Sequence, residues 1–523
     1  MIEAEYSALA QACDRLLRAP DTSLGRVAVP LLHVVNEHSG WLAQYESLFR
    51  DTVPAADWRS RHATLDLPRL ALRAARSLYR SRSGSMPDLN RFRGTEVLIV
   101  SHLANPAQLD TEDDFYFGPL QRLLHERGLS STLVFVDHGP AQARRVAIPE
   151  RFASTRFLLP VVVAPRVEAS IWRYCLAVRK ALRESARMAG DGFDGRIAEL
   201  AGRHAIDTGT AANLRLHATL SAVCRTLNPR IVITTYEGDA CERIIFHAAR
   251  SANRRPLCVG YQHTRLLQRA HAIRRSIAAA GIDCDPDVIL TLGTTSHRLL
   301  ENSERLRGVR LIPYGTHRYV DGASQGETGI RRDTCLVLPD ADDRECAFLF
   351  ESALACARRL PHVKFVLRPH PAVSAELLCA RHSLLQNLPC NVILSTARHL
   401  ATDLSAARYC LYRGTSAAIQ AVLGGVKPFY LARAGELSFD PLFALTQWRE
   451  TVSSPEEFVV ALATTTFNEE EAQSAKRQCE RMMSPIRSAA LDELLAGEGL
   501  AQSTGDIRRA EGRTSVPHLH PVL

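Results

Sequence analysis

The sequence predicts an α/β protein with two domains, each built around a parallel β-sheet. Three observations lead to this fold class. Short apolar runs recur along the chain, stretches long enough for helices of about ten residues or more separate them, and the alternation restarts in the second half. The composition agrees, because 46% of the 523 residues are hydrophobic and 23% are charged, as in ordinary globular proteins.

The first alternation begins at Glu96 and defines a predicted domain over residues 91–280. A helix is expected near residues 115–127. Parallel strands need a crossover connection, and such a helix supplies one. The expected strands are residues 97–100, 132–136, 230–234 and 257–260.

The second alternation defines a predicted domain over residues 281–498. Helices are expected at residues 345–359 and 416–423. In parallel α/β sheets ligands bind beyond the carboxyl ends of the strands, so the polar residues that follow each strand are the candidates for function. The expected strands are residues 288–292, 309–312, 334–338, 364–367, 391–394 and 408–412.

The two ends of the chain differ from these domains. Residues 1–90 are expected to form a helical extension, and residues 499–523 are polar and are expected to be a disordered tail. Within the extension, arginines at helical spacing form one basic stripe. The stripe is either a solvated helix face or a surface for anionic lipid head groups. Its members are Arg69, Arg73, Arg76 and Arg80.

Charge and cysteine usage exclude several classes of protein. The 64 basic and 56 acidic residues leave a net charge of +8, which is too weak over this length to predict a nucleic-acid partner. The 13 cysteines are scattered singly, so a structural zinc site is not expected. The sequence has no apolar run of membrane-spanning length and an acidic start, which favours a cytoplasmic protein, with peripheral contact at the inner face of the membrane left open.

Common catalytic motifs are missing from the sequence. It has no GxGxxG after a strand, no GxxxxGK[ST] and no HExxH, so nicotinamide, P-loop and zinc-protease chemistry lack support. Asp340 and Asp342 form a DxD that suits a divalent metal, but such triplets are common in loops, and no metal is expected. The Gly414–Ala418 segment approaches a GxSxG hydrolase motif, yet only His518 and His520 follow it.

Two segments of the second domain predict a site for a phosphate group. Thr415 and Ser416 lie between an expected strand and an expected helix, where free backbone N–H groups and the helix dipole favour an anion. An ordinary helix cap explains a lone hydroxyl equally well. About 45 residues upstream, the strand 364–367 ends in Arg368-Pro369-His370-Pro371, a rigid cationic rim.

The pairing of this rim with the Gly414-Thr415-Ser416 segment resembles the HP and S/T-S motifs of bacterial sialyl- and polysialyltransferases. Related patterns occur in capsule Kdo transferases and in CDP-glycerol glycerophosphotransferases. The resemblance implies a GT-B-like fold, in which two Rossmann-like domains face a central cleft. It also implies that the motif residues bind the phosphate of a cytidine nucleotide donor. Those residues are Arg368, His370, Pro371, Gly414, Thr415 and Ser416.

The first domain carries a second resemblance. Tyr236-Glu237-Gly238 follows an expected strand and is similar to the acidic-Gly motif that supplies the general base of polysialyltransferases. With the sequence to Glu242 and with Gly260–His263, it resembles a family described only as surface carbohydrate biosynthesis proteins. The resemblance implies Glu237 as the catalytic carboxylate, with Asp239 and Glu242 as competitors. Other residues expected to line the cleft are His263, Ser101 and His102.

Together these features imply a metal-independent glycosyltransferase of bacterial surface polysaccharide biosynthesis (capsule, O-antigen or lipopolysaccharide). It would need no cofactor and would move a sugar from a nucleotide-sugar donor, expected to be CMP-Kdo or CMP-sialic acid, to a glycan or lipid-linked glycan. Glu237 would act as base in an inverting reaction, and Asp239 is an equal candidate as nucleophile in a retaining one. A teichoic-acid-type CDP-polyol phosphotransferase, a nucleotide-sugar epimerase and a non-catalytic scaffold in a polysaccharide assembly complex remain alternatives.

Overall fold

The computed structural model describes residues 1–50, 75, 87–137, 147–277, 282–319 and 333–497, apart from positions 36, 38, 161, 307, 371, 372, 374 and 398. In these residues the chain forms two parallel β-sheets with helices packed on them. The predicted fold class, two Rossmann-like domains as in a GT-B-like protein, is confirmed. The central strands are buried along their whole length, as parallel strands covered on both faces must be.

The first domain is organised around a seven-stranded sheet in the order β3-β2-β1-β4-β5-β6-β7. Its first six strands follow the doubly wound order, in which the winding reverses between β1 and β4 and opens a crevice at their carboxyl ends. The strands are β1 (Val97–Leu103), β2 (Ser131–Asp137), β3 (Arg156–Leu158), β4 (Ile231–Thr235), β5 (Leu257–Tyr261), β6 (Val288–Thr291) and β7 (Arg310–Pro313).

The second domain repeats this order in a six-stranded sheet, β10-β9-β8-β11-β12-β13. Here the winding reverses between β8 and β11, so the corresponding crevice lies at the ends of those strands. The strands are β8 (Thr334–Leu338), β9 (Lys364–Leu367), β10 (Val392–Leu394), β11 (Tyr409–Tyr412), β12 (Lys427–Leu431) and β13 (Glu450–Val452).

Two expected strands belong to a different sheet from the one predicted. The runs at 288–292 and 309–312 were assigned to the second domain, but β6 pairs with β5 and β7 pairs with β6 in the first sheet. The prediction was wrong because strand periodicity is the same in both domains and carries no information about which sheet a strand joins. The first sheet therefore extends to Pro313, beyond the boundary placed at residue 280.

The helices vary from single turns to a long element of 25 residues. In the first 300 residues they are α1 (Glu3–Leu17), α2 (Leu24–Val27), α3 (Ser39–Leu42), α4 (Ser47–Arg50), α5 (Leu120–His125), α6 (Pro165–Ala189), α7 (Phe193–His204), α8 (Thr208–Leu227), α9 (Ala240–Ala249) and α10 (Thr294–Glu301). Those that follow are α11 (Asp343–Arg359), α12 (Ala375–Arg381), α13 (Leu400–Ala406), α14 (Ala417–Leu423), α15 (Pro455–Thr464), α16 (Glu469–Met482) and α17 (Ala489–Ala496).

The N-terminal residues 1–50 pack as part of the first domain. Leu9, Cys13 and Leu17 of α1 are fully buried in a hydrophobic cluster that also contains Cys175 of α6 and Ile244 of α9. Because this cluster is shared, the extension and the domain stabilise each other. Most of residues 51–86, including the arginine stripe, lie outside the described residues, as does the tail 499–523.

The last helix, α17, returns to the first domain. Leu491 and Leu494 of α17 are fully buried in the same cluster as Leu290 of β6 and Ile312 of β7. Before α17, the backbone N–H of Thr316 donates to the Ser484 carbonyl at 2.8 Å. The chain therefore crosses between the two domains twice.

None of the helices within the described ranges combines the length and the apolar character that a bilayer-spanning segment requires.

Candidate active site

A tight loop after β4 carries Glu237, and a buried carboxylate shapes it. Oε2 of Glu242 accepts hydrogen bonds from the backbone N–H groups of Glu237, Gly238 and Asp239 at 2.8 to 2.9 Å. Its Oε1 accepts from the Thr235 hydroxyl at 3.2 Å. Asp239 caps α9, and its Oδ1 accepts from the Ala240 N–H at 2.5 Å. Glu242 is only 3% exposed, so its carboxylate holds the loop instead of facing the cleft.

Gly238 in this loop has no space for a side chain. Its φ of +87° is unfavourable for other residues, and a Cβ would lie 2.4 Å from the carbonyl oxygen of Ala272. The fully buried Arg243 joins the same backbones: it donates to the Gly238 carbonyl at 3.4 Å and to the Ala272 carbonyl at 3.0 Å. It also forms an ion pair with Asp285. The loop is therefore fixed by backbone contacts and by a buried charge pair.

Glu237 points into the cleft, with 37% of its side chain exposed and its Oε1 3.8 Å from Nε2 of His263. Burial among protein atoms raises the pKa of its carboxyl to about 7, and the negative charges of Asp239 and Asp340 act in the same direction. Arg265 opposes the increase. A carboxyl that titrates near neutral pH is suited to accept a proton from a bound hydroxyl.

His102 and His263 lie on the same side of the cleft. The Nε2 of His102 is 2.8 Å from the Thr235 hydroxyl, which also contacts Glu242. The Tyr116 ring lies between the histidines, with its centroid 5.9 Å from that of His102 and 5.0 Å from that of His263. Burial lowers the pKa of His263 well below its usual range, so the imidazole beside Glu237 is neutral.

Ser101 is turned away from the cleft and supports it. Its hydroxyl is fully buried and donates to Oδ2 of Asp114 at 2.9 Å. Oδ1 of Asp114 accepts from the backbone N–H groups of Tyr116 and Phe117 at 2.8 and 2.9 Å. Ser101 therefore helps to hold the turn that carries the Tyr116 ring.

Arg318 adds a positive charge that the sequence analysis did not identify. Its guanidinium stacks over Phe115 at 4.4 Å from the ring centroid, and its Nη2 donates to the Phe115 carbonyl at 2.8 Å. Among the residues that the structure describes, no carboxylate forms an ion pair with it. Burial lowers the pKa of His263 in the first domain and His370 in the second, and the charge of Arg318 lowers both further. Arg318 therefore acts on both sides of the cleft.

The cationic rim of the second domain divides into two parts. Arg368 is bound within the protein: its Nη1 donates to Oδ2 of Asp403 at 2.5 Å and to the Ala397 carbonyl at 3.0 Å. His370 is partly exposed beyond the end of β9, and burial lowers its pKa, while nearby Asp340 acts in the opposite direction. Pro371 lies outside the described residues. His370 is therefore the rim residue whose pKa responds to the charged groups at the cleft.

The buried side chain of Arg413 fixes the start of the Gly414-Thr415-Ser416 loop. This arginine is fully buried and donates to Glu345 at 2.7 Å and to Glu436 at 2.8 Å. Gly414 has a φ of +60°, and a Cβ there would lie 2.6 Å from the Phe439 ring and 2.9 Å from Oδ2 of Asp340.

The two hydroxyl residues of this loop precede α14. The Thr415 hydroxyl accepts from the Ala417 N–H at 3.3 Å. Ser416 is the N-terminal cap position of α14, but its side chain makes no capping hydrogen bond. The Ser416 hydroxyl is therefore not used to close the helix.

An ion pair joins the two domains at the centre of this arrangement. Nη2 of Arg265, in the loop after β5, donates to Oδ2 of Asp340, after β8, at 3.0 Å. Both side chains are largely buried. The same Asp340 oxygen faces Gly414, and both charges act on Glu237 and His370. The ion pair therefore links the half-site of each domain.

The DxD triplet has protein partners at each carboxylate. Asp340 pairs with Arg265, and Asp342 caps α11. The next residue, Asp343, pairs with Arg381 at 2.8 Å. Within the described part of the chain, no group of three or more metal-ligating side chains comes together.

The structure thus brings Glu237, His263, His102, His370 and the Gly414–Ser416 loop to one cleft. The residues that sequence reasoning missed are Arg265 and Arg318, and it treated Asp340 only as a metal ligand. Arg265 and Asp340 each follow a strand within a few residues, so the strand-end rule could have selected them. Their pairing across the domains has no signal in the sequence.

Comparisons with known proteins give distant likenesses among solved structures. Neither a protein-family model nor a curated protein sequence matches the chain. Among solved structures, it resembles α,α-trehalose 6-phosphate synthase from Burkholderia multivorans, with a TM-score of 0.45 and 12% identity over 80% of this chain and 100% of that chain. It also resembles MurG from Acinetobacter baumannii (TM-score 0.42, 9% identity, 76% and 99% coverage) and the glycosyltransferase SnogD from Streptomyces nogalater (TM-score 0.40, 16% identity, 78% and 100% coverage).

Proposed function

We propose that this protein is a glycosyltransferase in which the second domain binds a nucleotide-sugar donor and the first domain binds the acceptor. One observation supports the proposal above the others. A carboxyl with a pKa of about 7, Glu237, lies in the first-domain half of a cleft whose other half carries His370 and the Thr415-Ser416 hydroxyls. A base and a phosphate-binding group on opposite sides of one cleft match the two ends of a glycosyl transfer.

In the proposed reaction the carboxylate of Glu237 accepts the proton of an acceptor hydroxyl. The acceptor oxygen forms a bond to the anomeric carbon while the bond from that carbon to the donor phosphate oxygen breaks. The electron pair of that bond stays on the phosphate, and preorganised donors in the second domain stabilise the added charge. Neutral His263 lies beside the Glu237 carboxylate, with its Nε2 3.8 Å from Oε1.

The phosphate-binding groups in this proposal are His370, Thr415 and Ser416. Ser416 has no capping hydrogen bond to give up, and a ring N–H of His370 would donate to a phosphate oxygen. Arg318 supplies a further positive charge. Arg368 acts differently from the expectation: its bonds to Asp403 and Ala397 make it a positioning residue for the strand end that carries His370.

The remaining first-domain candidates are assigned supporting roles. Glu242 holds the Glu237 loop, Asp239 caps α9, and Ser101 supports the Tyr116 turn. Asp239 keeps a partly exposed side chain and stays the alternative nucleophile of a retaining reaction. His102 bonds to Thr235 and contributes to the wall of the acceptor site.

The donor and the biological role rest on the motif resemblance. We propose a CMP-linked sugar, such as CMP-Kdo or CMP-sialic acid, because a single leaving phosphate fits one imidazole and one pair of hydroxyls. The acceptor would be a glycan or lipid-linked glycan in bacterial surface polysaccharide synthesis. No metal is required in this mechanism, because His370, Arg318 and the hydroxyls supply the phosphate contacts.

The first test is thermal shift with CMP, CDP, UMP, UDP, GDP and ADP. A ligand that binds only the folded state raises the melting temperature. We expect a CMP-selective shift that His370→Ala removes and that His362→Ala keeps, since His362 is exposed at the opposite end of β9. A UDP-selective shift would move the proposal to a UDP-sugar transferase or an epimerase. No shift with any nucleotide would favour the scaffold.

The second test is donor turnover with the Glu237→Gln variant. Removal of a general base should lower kcat by about 10²–10⁴-fold while the CMP shift remains. Glu126→Gln, at an exposed residue of the same domain, should keep full activity. Release of CMP from a CDP-alcohol, with no transfer from CMP-sugars, would instead identify a polyol phosphotransferase.

A further inference from the structure

The longest helix among the described residues, α6, has one face that none of those residues covers. In α6 (Pro165–Ala189), Ile171, Cys175 and Leu182 are buried against the neighbouring helices α7 and α8 and the N-terminal residues. The opposite face is exposed to solvent. An amphipathic helix of this kind is expected at the edge of a domain. The inference rests on the composition of its exposed face.

Four basic residues form a straight row along that face. Arg166, Arg173, Lys180 and Arg187 are all exposed and follow one another at intervals of seven residues. Seven residues are nearly two helical turns, so the side chains project in almost the same direction. The row extends over about 32 Å, at 1.5 Å per residue.

The charges of this row are not neutralised by the protein. In the described part of the chain, no carboxylate forms an ion pair with any of the four. The residues of the helix that do form ion pairs lie towards its packed side, where Arg183 pairs with Glu199 and Glu168 pairs with Arg215. Glu184 is the single acidic residue on the exposed face. The face therefore carries a net positive charge.

Two large apolar side chains lie beside the row. Met188 is 81% exposed and Leu176 is 41% exposed. At 100° per residue they project on opposite sides of the row of cations. Exposed apolar side chains next to basic ones are typical of helices that lie in the interface of a bilayer, where cations meet phosphates and apolar groups enter the acyl boundary.

We infer that the exposed face of α6 binds the surface of an anionic phospholipid membrane. A plane of phosphate head groups matches a straight row of cations, and the acyl chains beneath accept Met188 and Leu176. A nucleic-acid backbone would match the cations but would give the two apolar side chains nothing to bury against. This inference does not depend on the proposed function, although it would hold the cleft close to lipid-linked acceptors.

The test is co-sedimentation with two kinds of vesicles, phosphatidylcholine alone and phosphatidylcholine mixed with phosphatidylglycerol. The protein should bind only the mixed vesicles, and salt should weaken the binding. Each cation near an anionic surface strengthens binding about fivefold. The variant R166Q/R173Q/K180Q/R187Q should therefore lose affinity on the order of 500-fold.

A matched control removes the same number of charges elsewhere. Arg254, Arg358, Lys364 and Arg477 are also exposed, and R254Q/R358Q/K364Q/R477Q should bind the mixed vesicles like the wild type. Both variants should keep the wild-type melting temperature, because all eight positions are on the surface. A second variant, L176S/M188S, should weaken binding less and should leave its salt dependence unchanged.

Three outcomes would overturn the inference. The wild type does not bind the mixed vesicles, or R166Q/R173Q/K180Q/R187Q binds them as tightly as the wild type, or the control variant loses binding to the same extent. Binding of a DNA duplex through this row, with no binding to vesicles, would assign the face to a different polyanion and would also contradict the inference.

Discussion

The two loops that form the cleft are built in the same way but anchored differently. The Glu237 loop and the Gly414 loop each contain a glycine with positive φ, and a fully buried arginine fixes each of them. Arg413 is held by Glu345 and Glu436 of its own domain. Arg243, in contrast, donates a hydrogen bond to the backbone carbonyl of Arg275. The side chain of Arg275 in turn forms an ion pair with Asp14 of α1.

This difference shows that buried polar contacts join the proposed acceptor half to the N-terminal extension. The extension meets the second domain at the Gly435 carbonyl, which accepts from the Met1 amino group at 3.5 Å, and at Leu437, which packs in the cluster of α1. Arg275 donates to the His33 carbonyl at 2.9 Å, and the Arg275 carbonyl accepts from Arg243 at 3.1 Å. A line of buried contacts therefore joins the extension to the Gly238 backbone. A change at Asp14 should therefore reach Glu237 and leave nucleotide binding intact.

The largest effect is expected at Arg413. Arg413→Met should lower the free energy of unfolding by about 3–5 kcal/mol, because Glu345 and Glu436 lose their fully buried partner and keep the partly exposed Arg433. Arg433→Met is the matched control: it pairs with the same Glu345 and Glu436, but 35% of its side chain is exposed. It should cost under about 1 kcal/mol in urea unfolding. Equal losses would show that burial does not decide the strength of these pairs.

The next largest effect is expected at Gly238 and Gly414, which should differ in how much stability an alanine substitution costs. Gly238→Ala should cost about 3 kcal/mol, because its Cβ would meet the Ala272 backbone, which cannot turn aside. Gly414→Ala should cost about 1–2 kcal/mol, because its Cβ would meet the Phe439 ring, which can rotate. Activity should fall in both, but only Gly414→Ala should also weaken nucleotide binding. The opposite order of stabilities, measured by urea unfolding, would contradict this account.

The extension itself is tested by Asp14→Asn. Asp14 is 7% exposed and contacts Arg275 and His271, so the variant should lose about 2 kcal/mol and lower kcat without changing the CMP shift. Asp194→Asn is its control: Asp194 also joins the extension to the first domain, but its pair with Arg15 is exposed. It should lose less than about 1 kcal/mol. Loss of CMP binding in Asp14→Asn would remove the distinction between the halves.

The smallest effect is a pH dependence that comes from Glu237. Its pKa is about 7 in the folded protein and 4.5 in the unfolded chain, so the folded state holds the proton more tightly. That contribution to stability is complete below pH 4.5 and is lost as the pH rises through 7. Relative to wild type, Glu237→Gln should therefore become more stable between these pH values.

Activity should change with pH in the opposite direction to the contribution of Glu237 to stability. A carboxylate base must be ionised, so kcat/KM should rise with pH through about 7. Parallel titrations of unfolding free energy and of rate provide the measurement. If the stability difference between wild type and Glu237→Gln does not change with pH, the raised pKa is wrong.

Sequence patterns predicted most of the two sheets because buried strands are apolar throughout. Residues 334–338 and 364–367 match β8 and β9. The missed strands β3, β12 and β13 have a physical reason. β12 begins with Lys427-Pro428, a pair that is unusual in an inner strand, and Lys427 is buried against Glu450 of β13 at 2.9 Å. A charge neutralised by a distant partner cannot be recognised from local sequence.

The sequence identified candidate residues in each domain, but it did not show how the two sets meet at the cleft. His263 and His370 follow strands, so the rule that polar residues at strand ends bind ligands selected them. Glu237 also follows a strand, but its role was implied by the resemblance of its motif. That rule cannot tell which of two nearby carboxylates faces the cleft, and Glu242 differs from Glu237 only through backbone N–H groups that the fold brings together. The Arg265–Asp340 pair depends on how the domains meet.

The return of α17 to the first sheet has a consequence for synthesis on the ribosome. The first sheet is translated before the second, but its core contains Leu491 and Leu494. Until those residues leave the ribosome, the apolar surface over β6 and β7 stays uncovered. The second domain can complete its sheet earlier, at Val452. The domain that is begun first is therefore finished last, and a nascent chain that pauses between these points would be the form most in need of a chaperone.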